Sequence, residues 1–119
     1  LYGRPDYERP GRGITKRKTP KEITKNIDKS KPIIVLEHEP RQLQELADAG
    51  VDAQLCGHTH DGQMFPGNLT IKPLWENAYG YKKKDGMHSI VTSGVGVFGP
   101  NMRVGTKSEI YDIHMTFRP

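Results

Sequence analysis

The chain has 119 residues, a size that predicts about one domain with a modest hydrophobic core. Its hydrophobic fraction of 34% is low for a self-sufficient globular domain, so we expect it to be part of a larger protein. No apolar run approaches the roughly 20 residues that cross a bilayer. The single cysteine, Cys56, excludes an internal disulfide framework.

The net charge of +4 is concentrated at the N-terminus. Residues 1–31 hold ten Lys and Arg against four Asp and Glu, whereas residues 32–119 hold eight against ten. We interpret residues 1–31 as a basic extended segment with a short helix over roughly residues 20–28, because Thr19, Pro20 and Glu22 form a helix start signal. A basic segment of this kind is more often solvated surface, and contact with anionic lipid headgroups stays open. Nucleic-acid binding is disfavoured because few aromatic residues lie between the charges.

A strand, a helix and a second strand are predicted in the middle of the chain. Residues 33–36 are an apolar run that favours a buried strand, and residues 51–56 are predicted to be a second strand. Between them, the spacing of Leu43, Leu46 and Ala47 in residues 41–49 favours a helix. Such a short crossover joins parallel strands, which end at the same edge of a sheet. His38 and the Gly-His-Thr-His sequence at 57–60 are therefore expected to meet at that edge.

The remainder of the chain is predicted to be rich in β-structure. Strands are expected at residues 69–71, 79–81, 88–92 and 110–115, with a hairpin turn at Lys84-Asp85-Gly86. The glycine-rich residues 93–100 are predicted to form a loop that passes close to the histidines. For the aromatic residues Trp75, Tyr79 and Tyr81, lining of a substrate groove and packing beneath a loop both stay open.

Three histidines, His38, His58 and His60, are candidate metal ligands. Neutral imidazole is a common ligand of zinc, manganese and iron. An isolated His-x-His sequence is more often a pair of hydrogen-bonded loop residues. Here the pair directly follows a buried strand and a third histidine ends the neighbouring strand, which favours one ion, or two ions about 3.5–4 Å apart as in phosphoryl transfer.

Residues 33–40 and 49–63 resemble the last two metal motifs of the calcineurin-like metallophosphoesterases. The resemblance is greatest to a bacterial phosphodiesterase branch whose members are often membrane-associated. It implies an α/β fold in which residues 32–119 are the C-terminal half of an α-β-β-α sandwich, with a parallel βαβ unit followed by a β-rich segment. It also implies that the N-terminal half of the domain, and any membrane anchor, lie upstream of Leu1.

The same resemblance implies the roles of individual residues. His38 and His58 would bind one divalent ion and His60 a second, with Gly57 beside the metal or the substrate. Asp61 stands where the family often has Gly; a carboxylate that contacts and orients His60 and a simple turn residue both stay open. The ions would be manganese, zinc or iron, and the substrate a phosphate ester.

The earlier motifs of the family, Asp-x-His, Gly-Asp-x-x-Asp and Gly-Asn-His-Asp/Glu, do not occur here in their proper places. Asp112-Ile113-His114 matches the first only as a string, and we interpret it as ordinary alternation in a strand. We therefore expect the chain to hold at most one weakly bound ion, to contain no catalytic residue beyond its ligands, and to have negligible hydrolytic activity alone.

A second hypothesis is a non-catalytic metal-binding or interaction module that retains the Gly-His-Thr-His loop. The two hypotheses differ in what precedes Leu1. The three missing motifs upstream would favour the enzyme, and their absence would favour the module.

Overall fold

A five-stranded sheet organises the structure, a computed structural model that describes residues 1–8, 13 and 16–118. The strands are β1 (Tyr2–Gly3), β2 (Ile34–Leu36), β3 (Ala53–Cys56), β4 (Gly80–Lys84) and β5 (Met87–Val91). Their order in the sheet is β1-β2-β3-β5-β4, and all neighbours are parallel except β4, which pairs antiparallel with β5 at one edge. This mostly parallel sheet with helices confirms the predicted α/β class.

Two short helices, α1 (Pro20–Thr24) and α2 (Leu43–Asp48), pack against one face of the sheet. The predicted start of α1 is confirmed, because the Thr19 hydroxyl accepts from the Glu22 backbone and the Glu22 carboxylate accepts from the Thr19 backbone. The helix ends at Thr24, four residues earlier than expected. The helix α2 occupies the predicted crossover between β2 and β3.

The hydrophobic core lies between these helices and the sheet. In α2, Leu43 and Leu46 are three residues apart and point to the same side, where they meet Val35 of β2 and Met87 of β5. Burying a leucine such as Leu46 stabilises the fold by about 1.5–3 kcal/mol. The buried cluster comprises Ile23, Ile33, Val35, Leu43, Leu46, Val51 and Met87.

Two predicted strands are wrong. Residues 69–71 lie in and just after the helix α3 (Gly67–Thr70), where Ile71 donates to the carbonyl of Gly67 in helical fashion. A short apolar run does not distinguish helix from strand, and the local hydrogen bonds decide in favour of helix. Residues 110–115 form no strand, because β1 and β4 are the edges of the described sheet and neither pairs with this segment.

The other β predictions hold with small shifts. The strands expected at 79–81 and 88–92 are β4 and β5, and the hairpin between them turns at Asp85 and Gly86, both with positive φ, 46° and 89°. Residues 9–12 and 14–15 of the predicted basic segment, and Pro119, lie outside the described residues. Among the described helices, none is long and apolar enough to cross a bilayer.

A line of buried polar side chains crosses the sheet beneath the helices. Arg4, just after β1, donates to the Glu37 carboxylate at the end of β2 over 3.0 Å, and each of these side chains is 1% exposed. Gln54 of β3 donates to Glu37 over 2.6 Å and accepts from Ser89 of β5 over 3.3 Å. Asn77, before β4, donates to Ser89 over 3.0 Å. These bonds tie the strands together at fixed register.

We predict that Glu37→Gln strongly destabilises the fold. The substitution leaves the guanidinium groups of Arg4 and Arg17, which both pair with Glu37, buried without a compensating charge. Loss of one partner of a buried pair costs about 3–5 kcal/mol of unfolding free energy, measured by urea denaturation. The control Asp28→Asn, in an exposed pair with Lys31, is expected to leave the urea midpoint nearly unchanged. Equal midpoints for both variants would contradict the prediction.

Candidate metal centre

The loops that follow β2 and β3 meet at the carboxyl edge of the sheet, as the parallel crossover predicts. The backbone N–H of Glu37 donates to the carbonyl of Leu55, and the N–H of Gly57 donates to the carbonyl of His38 over 3.1 Å. The second bond joins the two loops that carry the histidines. Gly57 thus has a backbone role in the structure, whereas its predicted role beside metal or substrate stays a prediction.

The imidazoles of His38 and His58 are in direct contact. Nε2 of His38 lies 2.9 Å from Nδ1 of His58, and the ring centroids are 4.7 Å apart with the planes nearly perpendicular. Two nitrogens on one tetrahedral zinc ion, each 2.0–2.1 Å from it, are about 3.3 Å apart. If the two nitrogens moved slightly further apart, one ion could therefore bind to both of them.

His60 lines the same cleft, a cavity of about 680 Å³ that also includes His38 and His58. Its Nδ1 atom is buried and has no hydrogen-bond partner in the part of the chain that the structure describes. Burial lowers the pKa of His60 below its usual value, and the positive charge of Arg103 lowers it further. Both effects favour the neutral ring, which is the form that binds metals, and the buried Nδ1 atom lacks the partner that such atoms usually have.

The turn that carries His58 and His60 has an unusual backbone. Positive φ angles occur at His58 (69°), His60 (51°), Asp61 (49°) and Gln63 (50°), none of which is glycine. Each such residue costs of order 1 kcal/mol or more, and clusters of them are found at active sites and ligand clamps. A cluster of four such residues within one turn supports a functional role for it. A contact of Asp61 with His60 stays a prediction.

Arg103 is a positioning residue that sequence reasoning missed. Its guanidinium donates to the carbonyl of His60 over 3.2 Å, and to the carbonyls of Ser93, Gly94 and Gly96 over 2.7, 3.1 and 2.6 Å. It therefore fastens the glycine-rich loop beside the histidine turn, where that loop was predicted to lie. No sequence pattern marks an arginine whose partners are backbone carbonyls.

Asp6 is a second residue that the sequence did not single out. It follows β1, whose carboxyl end lies at the same sheet edge, and its Oδ2 atom is 3.8 Å from Nε2 of His38. It lines the cleft together with Glu8. The parallel pairing of β1 could have pointed to Asp6, but a two-residue strand has no recognisable sequence signal.

The side chains around the cleft meet only part of what a divalent metal ion requires. Imidazole nitrogens and an unsatisfied buried nitrogen suit zinc, manganese or iron. Yet among residues 1–8, 13 and 16–118, no three His, Cys, Asp or Glu side chains are grouped closely enough to hold an ion. Cys56 is buried, and burial strongly raises the pKa of its thiol, so it remains a protonated core residue. Asp112 and His114 are both 87% exposed, so their predicted solvent exposure is confirmed, although the strand predicted to carry them does not form.

We predict that His60 makes stability pH-dependent in the presence of a chelator. Because the pKa of His60 is lower in the folded chain than the roughly 6.5 expected when unfolded, the unfolded state binds more protons as pH falls below about 6.5. The free energy of unfolding therefore decreases with falling pH. Urea titrations from about pH 7 to 5 should show a smaller decrease in His60→Gln than in wild type. Identical pH profiles of the two proteins would refute this.

Comparison with known proteins gives similarity to metallophosphoesterases. The chain is 41% identical over 88 residues to a protein of Helicobacter pylori strain J99 named "Uncharacterized metallophosphoesterase". The aligned residues make up 72% of this chain and 24% of that protein. The chain is 41% identical over 85 residues to a protein of the same name from Aquifex aeolicus, covering 70% of this chain and 32% of the relative.

A vertebrate relative shows the same similarity. A "Transmembrane protein with metallophosphoesterase domain" of Danio rerio is 37% identical over 87 residues, which is 69% of this chain and 20% of that protein. The chain thus spans between a fifth and a third of the length of these relatives. No family model matches the chain, and no solved structure matches it. The similarity to proteins with metallophosphoesterase in their names extends over more than two thirds of this chain.

Proposed function

We propose that this chain is the C-terminal part of a calcineurin-like, metal-dependent phosphoesterase of the bacterial phosphodiesterase branch. His38, His58 and His60 would be ligands of a dinuclear centre that hydrolyses phosphate esters. One observation carries the proposal: the imidazole nitrogens of His38 and His58 lie 2.9 Å apart at the carboxyl edge of a mostly parallel sheet. Sites of α/β enzymes lie at that edge.

The proposed division of labour follows from the contacts. His38 and His58 share one ion because their nitrogens adjoin, and His60 serves the second with its unpartnered Nδ1. When bound, divalent ions of this type polarise phosphoryl oxygens and lower the pKa of water. Trp75, whose ring lies 5.6 Å from that of His58, limits the ring positions open to His58, and Arg103 holds the His60 carbonyl. Preorganisation of this kind is what electrostatic catalysis requires.

The face of the sheet opposite α1 and α2 supports the proposal that another half of the domain completes the fold. Leu36, Leu55, Ile90 and Tyr81 are register partners in a row across β2, β3, β5 and β4. Leu36 is 38% exposed and Tyr81 is 61% exposed. An apolar row of this kind suits packing against a second sheet about 10 Å away. In this proposal the missing half also supplies the carboxylate ligands.

Membrane association is a further part of the proposal. The zebrafish relative is named a transmembrane protein, and the basic N-terminal residues suit an anionic lipid surface. An anchor would lie in a segment upstream of Leu1.

One observation favours the non-catalytic module. Within the described ranges, no three potential ligands are grouped closely enough for an ion. A surface that retains two adjacent histidines without a complete ligand set could bind a metal weakly or contact another protein. Turnover by the intact protein separates this alternative from the enzyme.

We predict that His58→Ala in the intact protein lowers both bound metal and hydrolysis of bis(p-nitrophenyl) phosphate. Removal of a direct ligand is expected to reduce kcat/KM by about 100-fold or more, since even changes beyond the ligands cost about 10–100-fold. Metal content is measured by mass spectrometry of the purified protein. The 119-residue chain alone should show negligible turnover.

The matched control is His114→Ala, since this side chain is 87% exposed and pairs with the equally exposed Asp112. It should leave metal content and rate unchanged. Unchanged metal content and rate in His58→Ala would eliminate the proposed ligand role. Normal metal content without turnover in the intact wild-type protein would instead favour the module.

A further inference from the structure

A second cleft, of about 540 Å³, adjoins the candidate metal centre and contains Arg41. Arg41 lies three residues after His38 in the loop between β2 and α2. Its guanidinium carbon is 4.5 Å from the ring centroid of Tyr7 and 5.0 Å from that of Trp75. Two aromatic rings therefore hold the cation, an arrangement worth of order 1 kcal/mol for each ring.

A buried carboxylate fixes the same guanidinium at one edge. Nε of Arg41 donates to the carboxylate of Glu39, whose side chain is 1% exposed. The side chain of Arg41 itself is 37% exposed, and its two terminal nitrogens have no hydrogen-bond partner within the described part of the chain. The guanidinium of Arg41 is thus held in a fixed position, and the N–H groups of its two terminal nitrogens can bind a ligand in the cleft.

The charges around Arg41 leave room for an anion. Glu76 lines the same cleft, but its carboxylate pairs with Lys84 over 2.7 Å and with Lys82 over 3.7 Å. Glu39 is engaged with the Nε edge, and Glu8 acts on Arg41 only at longer range. The cation is therefore neutralised at one edge alone.

Trp75 connects this cleft to the histidines. One of its neighbours is Arg41, and the other is His58, whose ring centroid is 5.6 Å away. A molecule that binds at both His58 and Arg41 would lie beside the Trp75 ring, so the group at Arg41 would be several bonds from the atom at His58.

We propose that the Arg41 cleft binds an anionic group, a phosphate or a carboxylate, carried on one ester group of a phosphodiester substrate. This inference rests on the proposed function, with the scissile phosphate placed at His38 and His58. The planar fork of arginine accepts phosphate and carboxylate in a bidentate manner, which a lysine does not reproduce. Because Tyr7, Trp75 and Glu39 fix the side chain in advance, little ordering entropy is lost on binding.

Trp75 is the only tryptophan of the chain and provides a direct readout of binding. Phenyl phosphate and benzoate are titrated separately into the chain with a chelator present, at about pH 8, above the usual histidine pKa. We expect a saturable change in Trp75 fluorescence. Tighter binding of phenyl phosphate would identify a phosphate site, and comparable or tighter binding of benzoate would identify a carboxylate site. Failure of both probes to bind would overturn the proposal.

Substitutions can distinguish binding by the Arg41 guanidinium from nonspecific attraction to positive charge. Arg41→Ala should weaken binding by about tenfold or more, because a charge-assisted hydrogen-bonded pair is lost. Arg41→Lys should recover only part of the affinity. The double variant Glu39→Gln with Arg41→Met avoids a buried unpaired carboxylate and should bind as weakly as Arg41→Ala. The control Lys83→Ala removes an exposed positive charge on β4 and should bind like wild type. Equal loss in Lys83→Ala and Arg41→Ala would refute a specific site.

Turnover of the intact protein then tests the role in substrate choice. Phenyl p-nitrophenyl phosphate and its 4-carboxyphenyl analogue differ only in one carboxylate. Arg41→Ala should lower kcat/KM for the carboxylated diester by about tenfold and leave that for the phenyl diester nearly unchanged. Equal effects on both diesters would overturn the role in recognition, whereas absence of turnover in wild type would count against the proposed function and leave the binding result intact.

Discussion

The buried carboxylate of Glu37 is the interaction on which the geometry of the sheet edge depends. Glu37 directly follows β2 and immediately precedes His38. Its carboxylate accepts hydrogen bonds from Arg4, which directly follows β1, and from Gln54 of β3. Three parallel strands are thus held at one level, so the loops that leave them start from fixed points. A charge buried at this depth is tolerated only because its partners are complete, and this ties the position of the histidine loop to the integrity of the network.

The histidine turn adds a second constraint of a different kind. Its backbone has positive φ angles at four non-glycine residues. Contacts with other segments hold it there, namely the Gly57 N–H bond to the His38 carbonyl and the Arg103 bonds to His60 and the glycine-rich loop. The hydrogen bonds from these other segments offset the unfavourable backbone conformation of the turn. Such a turn presents its side chains in one orientation, which suits coordination chemistry better than a loop free to relax.

Sequence reasoning was accurate where the signal is local. The capping box at Thr19, the hairpin at Asp85 and Gly86, and the meeting of His38 with His58 all follow from short patterns or from the rule for parallel crossovers. It failed where the local structure or the position of a side chain depends on contacts with other segments of the chain. The helix at 67–70, the irregular course of residues 110–115, and the placement of Asp6, Arg41 and Arg103 depend on contacts that no pattern announces.

The two edge strands of the sheet, β1 and β4, differ in length and sequence, but both disfavour pairing with a further strand. At one edge β1 is only two residues long, and at the other β4 carries Lys82, Lys83 and Lys84 in succession. Short strands and lysine-rich strands both discourage an extra strand from adding to a sheet, so fibril-like growth is opposed on either side. Exposed apolar surface on the flat of the sheet can thus be tolerated without inviting uncontrolled polymerisation through the backbone.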